Sequence, residues 1–117
     1  MKKISFSFKG RKLNIDAKKC GFFGKAFGLM FTSKENANAL LFEFEKPVKL
    51  KIHSFFVFFS FIAVWFNKKG KVLEMKKIKP FTVAVSSKKN FYKLLEIPIN
   101  KKYRKAAKQL LHSPVGD

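Results

Sequence analysis

The side chains most often used for acid–base, nucleophilic or metal chemistry are few in this chain: two histidines, one cysteine and seven carboxylates. His53 stands between Ile52 and Ser54, where a strand is expected to begin. A histidine acting as base or ligand needs a partner, and the other histidine, His112, lies far along the chain in the C-terminal tail. His53 and Ser54 therefore mark a candidate ligand pocket, not a catalytic pair. Cys20 has Lys18 and Lys19 beside it, cations that favour a thiolate. No histidine is predicted next to it, so it reads as a small residue at a helix entry. Glu43 and Glu45 alternate on one strand face, a spacing that paired carboxylates can use. Lys46 and Lys49 beside them point instead to a solvated, ion-pairing face. No Cys/His cluster has metal-ligand spacing. Gly21, Gly24 and Gly28 lead to no Gly-Lys-Ser/Thr turn of the phosphate-binding kind. No metal, no cofactor and no catalytic constellation is expected.

Charge is the strongest compositional signal. Twenty-six Lys+Arg against seven Asp+Glu leave a net charge of +19. A surplus of that size attracts polyanions in a salt-dependent way. Arg11 and Arg104 are the only arginines, and arginine is the residue that forks onto guanine edges. Sequence-specific base reading is therefore not expected, and AT-rich codon usage is the alternative source of the lysine and phenylalanine surplus. The charge has one ordered feature. Lys101, Arg104, Lys105 and Lys108 recur at helical spacing, with Tyr103, Ala107, Leu110 and Leu111 on the opposite stripe. Those four cations are the candidate polyanion-binding residues. The first expectation is a noncatalytic binding module for a small ligand or protein partner. The second is a nonspecific nucleic-acid-associated protein, whose signature would be exposed aromatics among the lysines, with Phe81, Phe91 and Tyr92 as candidates. An enzyme has the least support.

The elements that position these residues read as mainly β. Ile4, Phe6 and Phe8 alternate, Gly10 supplies a tight turn, and Leu13, Ile15 and Ala17 alternate again, as a hairpin requires. Phe23, Ala26, Phe27 and Met30 have helical spacing, so a short helix is expected near 21–31. Ala39–Phe44 reads as a strand, broken at Pro47. Leu50, Ile52 and the apolar run Phe55–Phe66 read as one or two strands, and Phe56 or Phe58, whichever faces inward, as core. Asn67–Gly70 is a hairpin turn, followed by strands at Lys71–Met75, Phe81–Val85 and Phe91–Ile97. Asn100 is placed to cap a helix over 101–111. Closely spaced strands with two helices predict a β-sandwich or small barrel.

A chain of 117 residues makes a single domain, 1–117. The Lys-rich start is followed by an alternating segment, not by the continuous apolar stretch a secretory signal needs. The run Phe55–Phe66 is too short for a spanning helix. With a lone cysteine, these features predict a cytoplasmic protein without a membrane span.

Gly28-Leu29-Met30-Phe31, then Ala39-Leu40-Leu41-Phe42-Glu43-Phe44, then Ile52-His53, Phe55-Phe56 and the turn at Asn67 form a pattern that resembles the family called domain of unknown function 192, most closely its archaeal members. The resemblance runs from about Asp16 to Pro98. It implies a compact, mostly β fold and no established reaction. Family members usually carry Pro, an apolar residue and Asp within the apolar run. Here Ser60, Phe61 and Ile62 stand in those places, so the recurrent acid of that segment is missing.

Overall fold

The computed structural model describes residues 1–20, 29, 32–54, 57–82 and 84–111. Six strands form one sheet: β1 (Lys2–Phe8), β2 (Arg11–Lys19), β3 (Ala39–Val48), β4 (Phe61–Phe66), β5 (Val72–Ile78) and β6 (Phe91–Pro98). Their order across the sheet is β1-β2-β3-β6-β4-β5. All pairs are antiparallel except β2 with β3, which run parallel. The sheet curls into a half-barrel, a single layer folded on itself in place of a two-sheet sandwich. The curl brings the edge of β1 toward β4, so that the Phe6 and Phe66 rings meet edge to face at 5.1 Å.

Local chemistry explains most of the boundaries. Phe8 pairs directly with Arg11, and both intervening residues have positive φ, 50° at Lys9 and 78° at Gly10. That is a two-residue turn whose twist matches the strands, and Gly10 takes the left-handed geometry without strain. At the second hairpin the Asn67 side chain accepts from the Lys69 and Lys71 N–H groups. The helix α1 (Arg104–Leu111) begins three residues later than expected. Asn100 still caps the turn leading into it, its Oδ1 accepting from the Tyr103 N–H at 3.2 Å. Asn100 Nδ2 also donates to the carbonyls of Lys34 and Ala37.

Strand alternation sends two sets of side chains to opposite faces. Inside the curl lie Leu13, Ile15, Leu41, Ile62, Val64 and Leu95, closed over by Tyr103, Ala107 and Leu110 of the helical segment. On the outer face lie Leu40, Phe42, Phe61, Ala63, Trp65 and Leu94, covered in part by Leu29, Ala37, Val57 and Phe59. Strand β4 is flanked by β6 and β5 and buried throughout, which is why its sequence is continuously apolar. The Tyr103 hydroxyl ties the helix to the parallel pair: it accepts from the Ala39 N–H at 2.9 Å and donates to the Asp16 carbonyl at 2.8 Å. Tyr103→Phe leaves that buried N–H unpaired and is expected to cost about 1–3 kcal/mol. Urea melts check this, and a loss below about 0.5 kcal/mol, the size of an ordinary surface change, contradicts it.

The structure corrects several expectations. Pro47 does not end β3, which continues to Val48 past a register shift between Glu43 and Val48; the shift spares proline the donor role it cannot fill. Leu50–Ile52 is not a strand, and neither are the described residues of the segment Phe81–Val85, from which Val83 is excepted. The two segments meet in the isolated bridge between Ile52 and Val85, and Phe81 sits at φ 60°, outside strand geometry. In the apolar run Val57 and Phe59 are buried and Phe58 faces outward, while Phe56 lies outside the described residues. Leu111, placed on the apolar stripe of α1, is exposed. The short helix expected near 21–31 falls outside the described residues, apart from the buried Leu29.

Candidate anion-binding face

Asn100 and Tyr103 fix how α1 sits. The cap sets where it starts, and the buried ring and hydroxyl set which side meets β2. The opposite side carries Arg104, Lys105 and Lys108, with Lys101 in the turn just before the helix, all four exposed. Among the described residues no carboxylate lies within salt-bridge distance of any of the four. They border two grooves. The first, ≈ 540 Å³, runs between β2 and α1 past Lys12, Asn14, Asp16, Lys105 and Gln109. The second, ≈ 380 Å³, lies on the other flank, where Lys101, Arg104 and Lys108 face Lys34 and Glu35. The helix is thus a basic ridge with a concavity on each side. Lys102, one residue from the stripe, is occupied otherwise: its ammonium bonds Asn38 Oδ1 and lies 6.0 Å from the Tyr103 ring centre.

Elsewhere two carboxylates, Glu43 and Glu74, take up lysines. Glu43 on β3 gathers Lys19 at 3.3 Å, Lys2 at 3.5 Å and Lys93 at 3.7 Å. These partners come from β2, β1 and β6 and not from Lys46 and Lys49. Burial pushes the Glu43 carboxyl up, but the hydrogen bond from Lys19 and the three cations outweigh it and hold the carboxyl below its usual value. Glu74 and Lys76 pair at 3.0 Å, and Lys76 also donates to the Ser86 carbonyl at 2.8 Å.

Sequence reasoning passed over a buried group. Glu96 on β6 is 6% exposed and lies opposite Ala63 of β4 on one side and Leu40 of β3 on the other. Among the described residues no hydrogen bond or ion pair is made to its carboxylate, and burial pushes its pKa up to about 7. Trp65, two residues along β4 on the same face, has no acceptor for its Nε1–H among the described residues. Across Ala63 from Glu96 stands Lys76, 5.7 Å from the Trp65 ring centre and already held by Glu74. An acid inside Leu94-Leu95-Glu96-Ile97 was the available signal.

The other candidates are placed as follows. His53 is exposed and Ser54 is buried. The Ser54 hydroxyl donates to the Lys79 carbonyl and accepts from the Thr82 N–H, both at 2.6 Å. Neither residue borders the grooves beside α1. Cys20 is half-buried, its backbone N–H bonded to the Leu41 carbonyl. Phe91 is buried, Tyr92 half-buried and Phe81 exposed. Ile62, at the position where the resemblance implies an acid, is fully buried in the inner core. Among the described residues no group of three or more His, Cys, Asp or Glu side chains is arranged to hold a metal. No helix among them is long and apolar enough to cross a membrane.

Fold and face together define a class: small, curled β half-barrels with a basic C-terminal helix. The chain belongs to the DUF192 family, described as "Uncharacterized ACR", whose profile matches residues 14–106. No curated protein matches it significantly. Two solved structures share the fold. One is a "putative transcription regulator" from Sinorhizobium meliloti, with a TM-score of 0.71 at 12% identity over 88% of this chain and 82% of that one. The other is a protein of unknown function from Novosphingobium aromaticivorans, with a TM-score of 0.71 at 11% identity over 90% of this chain and 77% of that one.

Proposed function

We propose that this protein is a noncatalytic binding module that takes a nucleic-acid backbone onto the basic ridge of α1. The observation that carries the reading is the set of four exposed cations, Lys101, Arg104, Lys105 and Lys108, without carboxylate partners among the described residues and lining grooves on both flanks. Glu43 draws Lys2, Lys19 and Lys93 into pairs; Asp16 and Glu35 line the two grooves without pairing to these four, which remain available for phosphate. The description of the Sinorhizobium meliloti protein as a "putative transcription regulator" agrees in kind with nucleic acid as the partner. A small-ligand pocket at His53 and Ser54 is less favoured, because the Ser54 hydroxyl already uses its donor and an acceptor position within the chain. With two arginines in the chain, binding is to phosphate and not to base edges.

Fluorescence anisotropy of labelled duplex DNA across a range of salt tests this. Affinity is expected near ~1 µM or weaker, with a log–log salt slope of about −0.9 per phosphate neutralised. Changing Lys101, Lys105 and Lys108 to alanine is expected to flatten that slope by roughly one for each lysine lost. A slope left unchanged contradicts the reading. So does a preference of about 10³-fold for one sequence over random DNA, since that requires base readout.

A further inference from the structure

Phe58 and Phe81 are 62% and 51% exposed, the two exposed aromatic rings among the described residues, and they meet edge to face with centroids 5.4 Å apart. Neither belongs to a core cluster. Phe81 holds φ at 60°, a left-handed geometry that is an outlier for a bulky side chain. Glycine or asparagine would adopt it with less strain.

Ser54 maintains that geometry. Its carbonyl accepts from the Phe81 N–H at 2.8 Å, its N–H donates to the Thr82 carbonyl at 3.0 Å, and its hydroxyl accepts from the Thr82 N–H at 2.6 Å. Thr82 Oγ1 closes the turn onto the Lys79 carbonyl at 2.7 Å. Backbone strain persists where its surroundings over-determine it, and such positions cluster at ligand clamps. Here the strained turn turns an apolar ring toward water beside a second apolar ring, an arrangement that core packing does not explain.

We infer that Phe58 and Phe81 form a stacking platform for unpaired nucleobases, so that the preferred partner is single-stranded nucleic acid. This rests on the polyanion reading of α1. Three observations favour bases over an apolar protein surface. The chain carries a net charge of +19. Exposed Lys77 and Lys79 lead into the Phe81 turn. And the platform lies close to the basic grooves in chain terms. Ser60, two residues after Phe58, accepts from the Ile99 N–H at 3.1 Å, and Ile99 lines the groove with Lys101, Arg104 and Lys108. Extended-chain geometry then puts the Phe58 and Ile99 Cα atoms within about 14 Å, a few nucleotides of a single strand. Stacking needs only a π face, so the platform is tolerant of sequence.

The test compares two probes, a fluorescent oligothymidylate and a duplex with the same number of phosphates, against Phe81→Gly, Phe58→Ala and the α1 triple change of Lys101, Lys105 and Lys108 to Glu. Phe81→Gly suits the left-handed turn, and Phe58→Ala alters an exposed ring, so at least one variant keeps the fold by circular dichroism. Each ring variant is expected to weaken oligothymidylate binding by about 5- to 100-fold and to leave duplex binding within about 2-fold. Unchanged oligothymidylate binding in both variants overturns the platform and leaves the ring pair to a protein contact. Equal losses on both probes overturn it too, because stacking cannot act on a closed duplex. The α1 triple separates the two readings. If it weakens both probes while the ring variants weaken neither, the ridge stands and the platform falls. If it weakens neither, the ridge fails on its own.

Discussion

Between pH 4.5 and 7 the native protein is expected to lose stability as pH rises, and Glu96→Gln is expected to abolish that loss. The folded Glu96 has its pKa pushed up to about 7 from the ordinary 4.5 by burial. Below 4.5 the carboxyl is protonated in both folded and unfolded chains, and its favourable contribution is complete. Between the two values the folded chain binds the extra proton, so stability falls with pH; above 7 the group is charged in both states and the loss is complete. The shift corresponds to roughly 3 kcal/mol. Lys76 does not relieve the charge, since its ammonium is held by Glu74 and the Ser86 carbonyl. Glu43 and Glu74 act in the opposite sense. Their lowered values stabilise the fold above 4.5 and withdraw that support only in more acid solution, so they leave this window to Glu96. Urea denaturation of both proteins at several pH values measures the effect. Parallel stability curves for native and Glu96→Gln proteins across the window contradict it.

The second large effect lies in β4. Phe61→Ala is expected to cost about 3–5 kcal/mol and Ile62→Ala about 2–5 kcal/mol. Adjacent strand residues usually differ, because one side chain faces water. Here Phe61 packs into the outer cluster and Ile62 into the inner one, at 1% and 0% exposure. Phe58→Ala, three residues before β4, is expected to change stability by less than about 0.5 kcal/mol, because it empties no cavity. Chemical melts of the three variants check the series. A loss at Phe58 comparable to that at Phe61, or a small loss at either β4 position, contradicts the two-sided burial of the strand.

Legibility varied with the range of the interactions involved. The β1–β2 hairpin was plain, because alternation and a Lys9-Gly10 turn are local signals. So was the Asn100 cap. The parallel pairing of β2 with β3 was not, since nothing in either segment specifies a partner distant in sequence. Phe81–Val85 alternates like a strand, but its start is bent by Ser54, a contact across 28 residues between the Ser54 hydroxyl and the Thr82 N–H. Phe58 sat inside an apolar run that predicted core, and only the tertiary structure turns it outward. For the candidate site, the helical spacing of Lys101, Arg104, Lys105 and Lys108 was legible as a stripe. Its division between two grooves was not, because Lys12 and Lys34 reach the helix from distant segments. Glu96 was hidden because a charged residue in a strand is ordinarily assigned to the solvent side.

Retention on immobilised heparin tests the basic ridge most directly, using two triple variants of equal charge. Lys101, Lys105 and Lys108 are changed to Glu in one, and Lys68, Lys69 and Lys71 at the β4–β5 turn in the other. All six are exposed. Each Lys→Glu change removes two charges, so three take either protein from +19 to +13. A purely global field responds alike to both. The α1 variant is expected to elute at clearly lower salt than the turn variant, with both folded by circular dichroism. Elution of the two folded variants at the same salt contradicts a binding site on α1.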